Sequence, residues 1–325
     1  MEIKATKLLK RLLKIPEITV ILIVILAAVI LSLITPHFLT QSNIRTLFTG
    51  LSTDGIIVIG MTMILIIGEI DLSVGSIMGM VCMLVAVLTK MGTNVWLASF
   101  IAIAVGCACG AVNGFLIGKV GLNGFITTLA MQGVLRGVTL LSTQGRSISP
   151  TDPSYSYEIF RFIGQGRVLS IPVIVIVLFI FIIVGDFLLK KTTPFRQLYY
   201  VGSNAKGAAL SGIDVRKIKI YVYILSAFLA SVAGVISLAR FGASTPTTGQ
   251  DAPMTAISAA VIGGASLTGG AGTVIGAFLG VILIRVIDNG LILLNISVYG
   301  RDLVSGLLLI TAILIDHLSN KKKLR

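Results

Sequence analysis

Two carboxylates stand two positions apart in "GEIDLSVGS", residues 68–76, with "IGMTMILII" before them and "IMGMVCMLVAVL" after. An ionised carboxylate costs several kcal/mol at the centre of a bilayer, so Glu69 and Asp71 need a reason to be there. The pair can relay a proton, act as acid and base in catalysis, or line a place where the backbone breaks. The catalytic option lacks partners: the two histidines, His37 and His317, lie far from the pair in sequence, and no cluster has metal-ligand spacing. No catalytic residue and no metal is therefore assigned. At a break, Asp71 or Ser73 can accept backbone N–H bonds at the start of the next helix, where a negative charge also meets the favourable dipole end. Glu69 precedes the break and fits a cap poorly. It faces water, pairs with a cation elsewhere, or lines a path.

The elements around the pair are those of a membrane. Hydrophobic residues make up 55% of the chain and charged residues 12%, about half the ~25% of a soluble domain. "ITVILIVILAAVILSLI" (18–34) and "IPVIVIVLFIFIIVGDFLL" (171–189) each approach the ~20 residues that cross a bilayer core. The expected fold is all-α and polytopic, with ten spans over 17–34, 45–67, 72–89, 94–118, 122–142, 171–189, 218–240, 253–267, 273–293 and 299–318. Span 253–267 is short and Gly-rich, as a broken or re-entrant segment would be. The net charge of +13 is concentrated in the N-tail, in 190–219 and in the C-terminal "KKKLR". Ten spans put all three on one side, which the positive-inside rule makes cytoplasmic, and leave 143–170 outside. The expected domains are an amphipathic N-tail (1–16), one transmembrane domain (17–318) and a basic C-tail (319–325). Cys82, Cys107 and Cys109 read as buried small hydrophobes.

A weak repeat bears on the acids. Residues 67–75, "IGEIDLSVG", and 262–270, "IGGASLTGG", share Ile, Gly, Leu, Ser/Thr and Gly at an offset of 195. The second copy has Gly264 and Ser266 where the first has Glu69 and Asp71, so what is shared is a helix break and not a pair of acids. Internal repeats of this kind are common in transporters. With ten spans both copies run in the same direction.

The longest polar stretch on the cytoplasmic side is 190–219, "KKTTPFRQLYYVGSNAKGAALSGIDVRKIK". Ser203 or Asn204 can cap a short helix over 205–210, Gly212 can close it in the left-handed conformation, and Asp214 can cap the span that follows. At about 10 Å the helix is too short to be stable alone and needs a surface to dock on. Its small residues, Ala205, Gly207, Ala208 and Ala209, permit close approach. An ordinary connecting loop is the other reading of the same spacing.

The segment "VGSNAKGAALSGIDVRKIKIYVYILSAFLASVAGVI" resembles the cytoplasmic segment of ribose-type ABC importer permeases, within the branched-chain amino acid/ribose permease superfamily. "GMTMILIIGEIDLSVGS", "GFITTLAMQGVLRGVTLLSTQG" and "AISAAVIGGASLTGGAGTVIGAFLG" are similar to that family's other signatures, in the same order. Glu69 departs from the small residue usual in the family. The resemblance implies a permease subunit of the bacterial plasma (inner) membrane, paired with an identical or related copy, with a cytoplasmic ATPase below and an extracytoplasmic sugar-binding protein above. It implies that Ser203, Asn204, Ala205, Ala208, Ala209, Leu210, Gly212 and Asp214 form the coupling segment. No cofactor is expected, since the chain has no G-x-x-x-x-G-K-[ST] loop and ATP would be bound by the partner.

Candidate path residues are Glu69, Asp71, Ser73, Asn123, Thr127, Thr128 and Gln132. Thr128, Gln132 and Arg136 are spaced by four and share a helical face, suited either to a hydroxyl-rich solute or to bonding between helices. Arg285 and Asp288 read as an internal ion pair, and Arg301 and Asp302 as the outer start of the last span. In the external segment, Arg146, Arg161 and Arg167 are candidates for docking a binding protein through its acidic residues. The competing function is a proton-coupled secondary transporter using Glu69 and Asp71.

Overall fold

The computed structural model describes residues 16–152 and 154–323. The amphipathic tail expected over 1–16 lies outside them except for its last residue. Among the described residues there are thirteen α-helices and one small hairpin.

The helices are α1 (Pro16–Ile34), α2 (Gln41–Ile66), α3 (Val74–Lys90), α4 (Val95–Phe115), α5 (Gly124–Thr143), α6 (Tyr155–Gln165), α7 (Val173–Lys191), α8 (Thr193–Ser203), α9 (Ala205–Leu210), α10 (Val215–Phe241), α11 (Ala252–Ile262), α12 (Val274–Leu293) and α13 (Val298–Lys323). A π-helical turn, Leu116–Val120, extends α4. Strands β1 (Arg167–Val168) and β2 (Ile171–Pro172) pair antiparallel between α6 and α7.

Among the described residues, seven helices are long and apolar enough to cross a membrane: α1, α2, α4 with its π turn, α5, α7, α10 and α12. Two of the ten expected spans are shorter than a full crossing. The one placed at 72–89 begins at Val74 and has 17 residues. The one placed at 253–267 contains a helix of only 11 residues, about 16 Å long against a core of about 30 Å. The last, expected over 299–318, falls within α13. The polar segment 190–219 also holds a helix that its composition did not suggest, α8, with Pro194 in its first turn, where the missing N–H is tolerated.

Apolar character on all sides predicts burial, and α2 is buried from Leu51 to Ile66. It packs with α10, which also lies against α3 and α4. By contrast α1 leaves Leu22, Ile25, Leu26 and Leu33 exposed, a surface suited to lipid.

The α4–α10 contact rests on glycines at every fourth residue: Gly106, Gly110, Gly114 and Gly118. A Cβ on Gly114 would sit 2.7 Å from the Ile220 Cα, and one on Gly118 2.8 Å from the Arg216 carbonyl oxygen. The two backbones therefore touch, as they do where small residues line helix interfaces in membranes.

The two copies of the repeat meet. The Gly270 N–H donates to the Ile66 carbonyl at 2.8 Å, joining the end of α2 to the loop after α11. Their local bonding also matches. The Ser73 N–H donates to Asp71 Oδ1 at 2.9 Å and its hydroxyl to the same oxygen at 2.6 Å. At the aligned positions, the Thr268 N–H donates to Ser266 Oγ at 3.3 Å and the two hydroxyls lie 3.0 Å apart. Gly68 (φ +75°) and Gly264 (φ +96°) follow the two helix ends in the left-handed region, where L side chains are strained.

Candidate functional site

Three features at different depths of the bundle carry the polar groups. The first is the break after α2. Asp71 is only 1% exposed, and its second oxygen accepts from the Ser226 hydroxyl of α10 at 3.2 Å. Asn113 of α4 donates to Ser73 Oγ at 2.9 Å. Thr128 of α5 accepts the Leu72 N–H at 3.1 Å and donates to the Gly124 carbonyl at 2.8 Å. A buried polar group left unpaired costs about 1–3 kcal/mol. Here Asp71, Ser73 and Thr128 satisfy the open backbone and one another.

Glu69 is paired with Lys219 of α10, both side chains being mostly buried at 16% and 22% exposed. Of the three options open from sequence, the cation partner is the one observed. The remaining path candidates are not gathered with these. Asn123 caps α5 by accepting the Ile126 N–H at 3.1 Å. Thr127 bonds back to the Asn123 carbonyl at 2.8 Å. Gln132 is partly exposed on α5, while Arg136 donates to the Pro246 and Thr248 carbonyls at 2.6 and 3.2 Å.

The second feature is the junction of α8 and α9 with both breaks. A Cβ on Gly202 would overlap the Ile66 carbonyl oxygen and crowd the Gly270 nitrogen at 2.6 Å, so α8 ends against the two copies of the repeat at once. Tyr199 donates to the Gly272 carbonyl at 2.8 Å. Burial, with the Asp186 carboxylate adding to it, pushes that phenol up to about 12, so it remains a donor.

The chain then turns at Asn204, whose side chain accepts the Gly207 N–H at 2.9 Å, and α9 begins. Beyond its end, Ile213 N–H bonds the Ala208 carbonyl at 3.0 Å and Gly212 N–H the Ala209 carbonyl at 3.1 Å. With Gly212 at φ +83°, this is the Schellman closure. Asp214 accepts the Lys217 N–H at 3.1 Å and caps α10. Ala208 is buried. Ser203, Ala205 and Ala209 face out with Leu210, which is 91% exposed.

The third feature is a cavity of about 570 Å³ among α2, α3, α10, α12 and the loop after α10. It lies toward the end of the bundle that holds the 144–172 segment, where Ile148 pairs with Ser244 and Gln165 donates to the Arg240 carbonyl at 3.0 Å. Asp54, Arg240, Asp251 and Arg285 line it with Thr245, Thr247, Thr248 and Gln250. Arg285 is paired with Asp54 and, at 3.5 Å, with Asp288, which also accepts from Arg301 at 3.1 Å. The expected Arg285–Asp288 pair is therefore one link in a longer chain of charges. Asp54 and Arg240 were missed from sequence; the available signals were an acid inside the apolar run of α2 and the hydroxyl-rich "ASTPTTGQDAP" after an arginine. At the same end Arg146, Arg161 and Arg167 are exposed, Arg161 donating to Gln165 at 3.0 Å.

Comparison with known proteins places these features in a family. The model of the branched-chain amino acid transport system / permease component matches residues 43–313. The chain is 36% identical over 304 residues to the ribose import permease protein RbsC of Haemophilus influenzae, covering 94% of each. It is 36% identical over 289 residues to RbsC of Bacillus subtilis, covering 89% of each. The D-allose transport system permease protein AlsC of Escherichia coli is 36% identical over 304 residues, covering 93% of this chain and 92% of its own. No solved structure matches the chain. With buried helices bent around paired breaks and a family match over most of its length, this multi-pass membrane protein belongs to the branched-chain amino acid transport system / permease component family.

Proposed function

We propose that this chain is the membrane-spanning permease subunit of an ATP-driven importer for a monosaccharide of the ribose, allose or xylose kind, working by alternating access. The relatives' names supply the sugar class. The observation that carries the coupling mechanism is the build of α9. It is a six-residue helix capped at both ends, with Leu210 exposed, and α8 seats its base against both breaks. A push on α9 from an ATPase reaches the end of α2 and the loop after α11 through the Gly202 contact.

In this reading α3, α11 and α13 complete ten crossings, the α11 segment being the broken one. The termini and residues 190–217 are then cytoplasmic, and 17–318 form one permease domain between short basic tails. Ser203, Asn204, Ala205, Ala208, Ala209, Leu210, Gly212 and Asp214 form the coupling segment. Two copies, identical or related, enclose the path, and an extracytoplasmic sugar-binding protein docks near Arg146, Arg161 and Arg167. Asp71, Ser73, Thr127 and Thr128 hold the wall of the path, with Glu69, Asn123 and Gln132 nearer its surface.

The test is co-purification of the tagged chain with the ATPase encoded beside it, followed by sugar-stimulated ATP hydrolysis. Ala209→Trp places a bulky ring on the exposed face of α9. It should abolish binding of the ATPase and uptake while membrane insertion is kept. Normal uptake by that variant would remove the coupling assignment, and uptake that follows the proton gradient without any ATPase would favour the secondary transporter.

A further inference from the structure

We propose that the cavity between α2, α10 and α12 is a binding site for a neutral, hydroxyl-rich solute within the permease itself, with Arg240 and Gln250 as its principal donors. The inference rests on the importer reading and deepens it: the membrane subunit would carry a sugar filter of its own.

Charge balance sets the ligand class. The four charged lining residues, Asp54, Arg240, Asp251 and Arg285, sum to zero, so the site as a whole offers neither an anion nor a cation a net attraction. Two of the four are already engaged with each other, Asp54 and Arg285. Arg285 lies between Asp54 and Asp288, and Asp288 also holds Arg301.

Arg240 and Asp251 stand outside that chain of ion pairs. The one hydrogen bond from the Arg240 guanidinium to a side chain is to Thr49 Oγ1 at 3.5 Å, and its guanidinium carbon lies 4.7 Å from the centre of the adjacent Phe241 ring. A guanidinium has five N–H donors in a planar fork, so most of this one is free to meet a ligand's oxygens. The Thr245 hydroxyl, 3.3 and 3.0 Å from those of Thr247 and Thr248, adds groups that both donate and accept. Gln250 is exposed and brings an amide with both functions.

Ring hydroxyls of a sugar also donate and accept, and they match such a mixed lining better than a carboxylate or an ammonium group would. The volume of about 570 Å³ lies within the roughly 300–1,000 Å³ usual for small-molecule sites. The half-exposed Phe241 ring at the rim can cover an apolar sugar face.

The experiment uses the full chain in lipid nanodiscs, with D-ribose, D-allose and D-xylose as probes read by saturation-transfer NMR, and inorganic phosphate as competitor. At least one sugar should bind the wild type. Arg240→Gln should weaken that binding roughly ten- to hundredfold, and Gln250→Ala, on an exposed loop where folding is not at stake, by several-fold. Arg240→Lys should restore part of the loss. No binding by the wild type, unchanged binding in Gln250→Ala, or displacement of sugar by phosphate would each overturn the proposal. Co-purification of the ATPase with the same wild-type chain is scored separately. Its absence would strike the importer reading, whereas a coupled importer with an indifferent cavity would strike only this inference.

Discussion

The Glu69–Lys219 pair links the first break to the base of α10, shortly after α9, and its removal tests whether that link is structural. Exposed ion pairs contribute about 0–1 kcal/mol, and breaking a fully buried pair by removing one partner costs about 3–5 kcal/mol. With side chains 16% and 22% exposed, this pair falls between those limits, and roughly 2–3 kcal/mol is expected for Glu69→Gln or Lys219→Met alone. Lys219→Met leaves Glu69 facing the Tyr223 hydroxyl and Gly124 with its charge uncompensated, so it should be the worse of the two. The double variant Glu69→Gln/Lys219→Met leaves no charge stranded and should recover most of the loss, giving a coupling energy of at least about 1 kcal/mol. The assay is thermal unfolding of the purified chain in detergent. Scaled to a chain of 325 residues, each kcal/mol moves the midpoint by about 1.5 °C, so each single variant should fall by roughly 3–4 °C. Single variants within 1 °C of wild type, or losses that simply add in the double variant, would refute the reasoning.

Three other outcomes follow from the packing. Gly114→Leu drives a side chain into the Ile220 backbone, where even a Cβ would be 2.7 Å from Cα; it should prevent recovery of folded chain, whereas Gly133→Ala, on open surface of α5, should be tolerated in the same size-exclusion assay. Asp71→Asn keeps an oxygen to accept the Ser73 N–H and should retain much of the transport, measured as sugar uptake; complete loss with intact folding would favour a proton relay. Asn204→Ala removes the cap of α9, a change that costs about 0.5–2 kcal/mol, and should weaken association with the ATPase severalfold in a pull-down while leaving the midpoint of thermal unfolding nearly unchanged.

Local signals were legible where the chain had to solve a local problem. The cap at Asn204, the left-handed Gly212 and the cap at Asp214 were each readable because the donors and acceptors involved lie within a few residues of one another. The repeat was readable for the same reason: a helix that breaks inside an apolar environment needs small residues and an oxygen nearby, and Asp71 and Ser266 supply that oxygen in their two copies. Helix α8 was not, because it sits in a polar segment and its stability comes from seating Leu198, Val201 and Gly202 on other elements.

By itself the sequence determined that the chain is helical and membrane-embedded, where its backbone turns, and which short helix it presents. These follow from backbone hydrogen bonding and apolar patterning, which act over a few residues. Only the tertiary structure decided that the two breaks touch, that Glu69 finds its cation 150 positions away on α10, and that Asp54, Arg240 and Arg285 share one cavity. Charges and close backbone contacts depend on distance in space, and a linear chain does not state which of its distant helices will lie side by side.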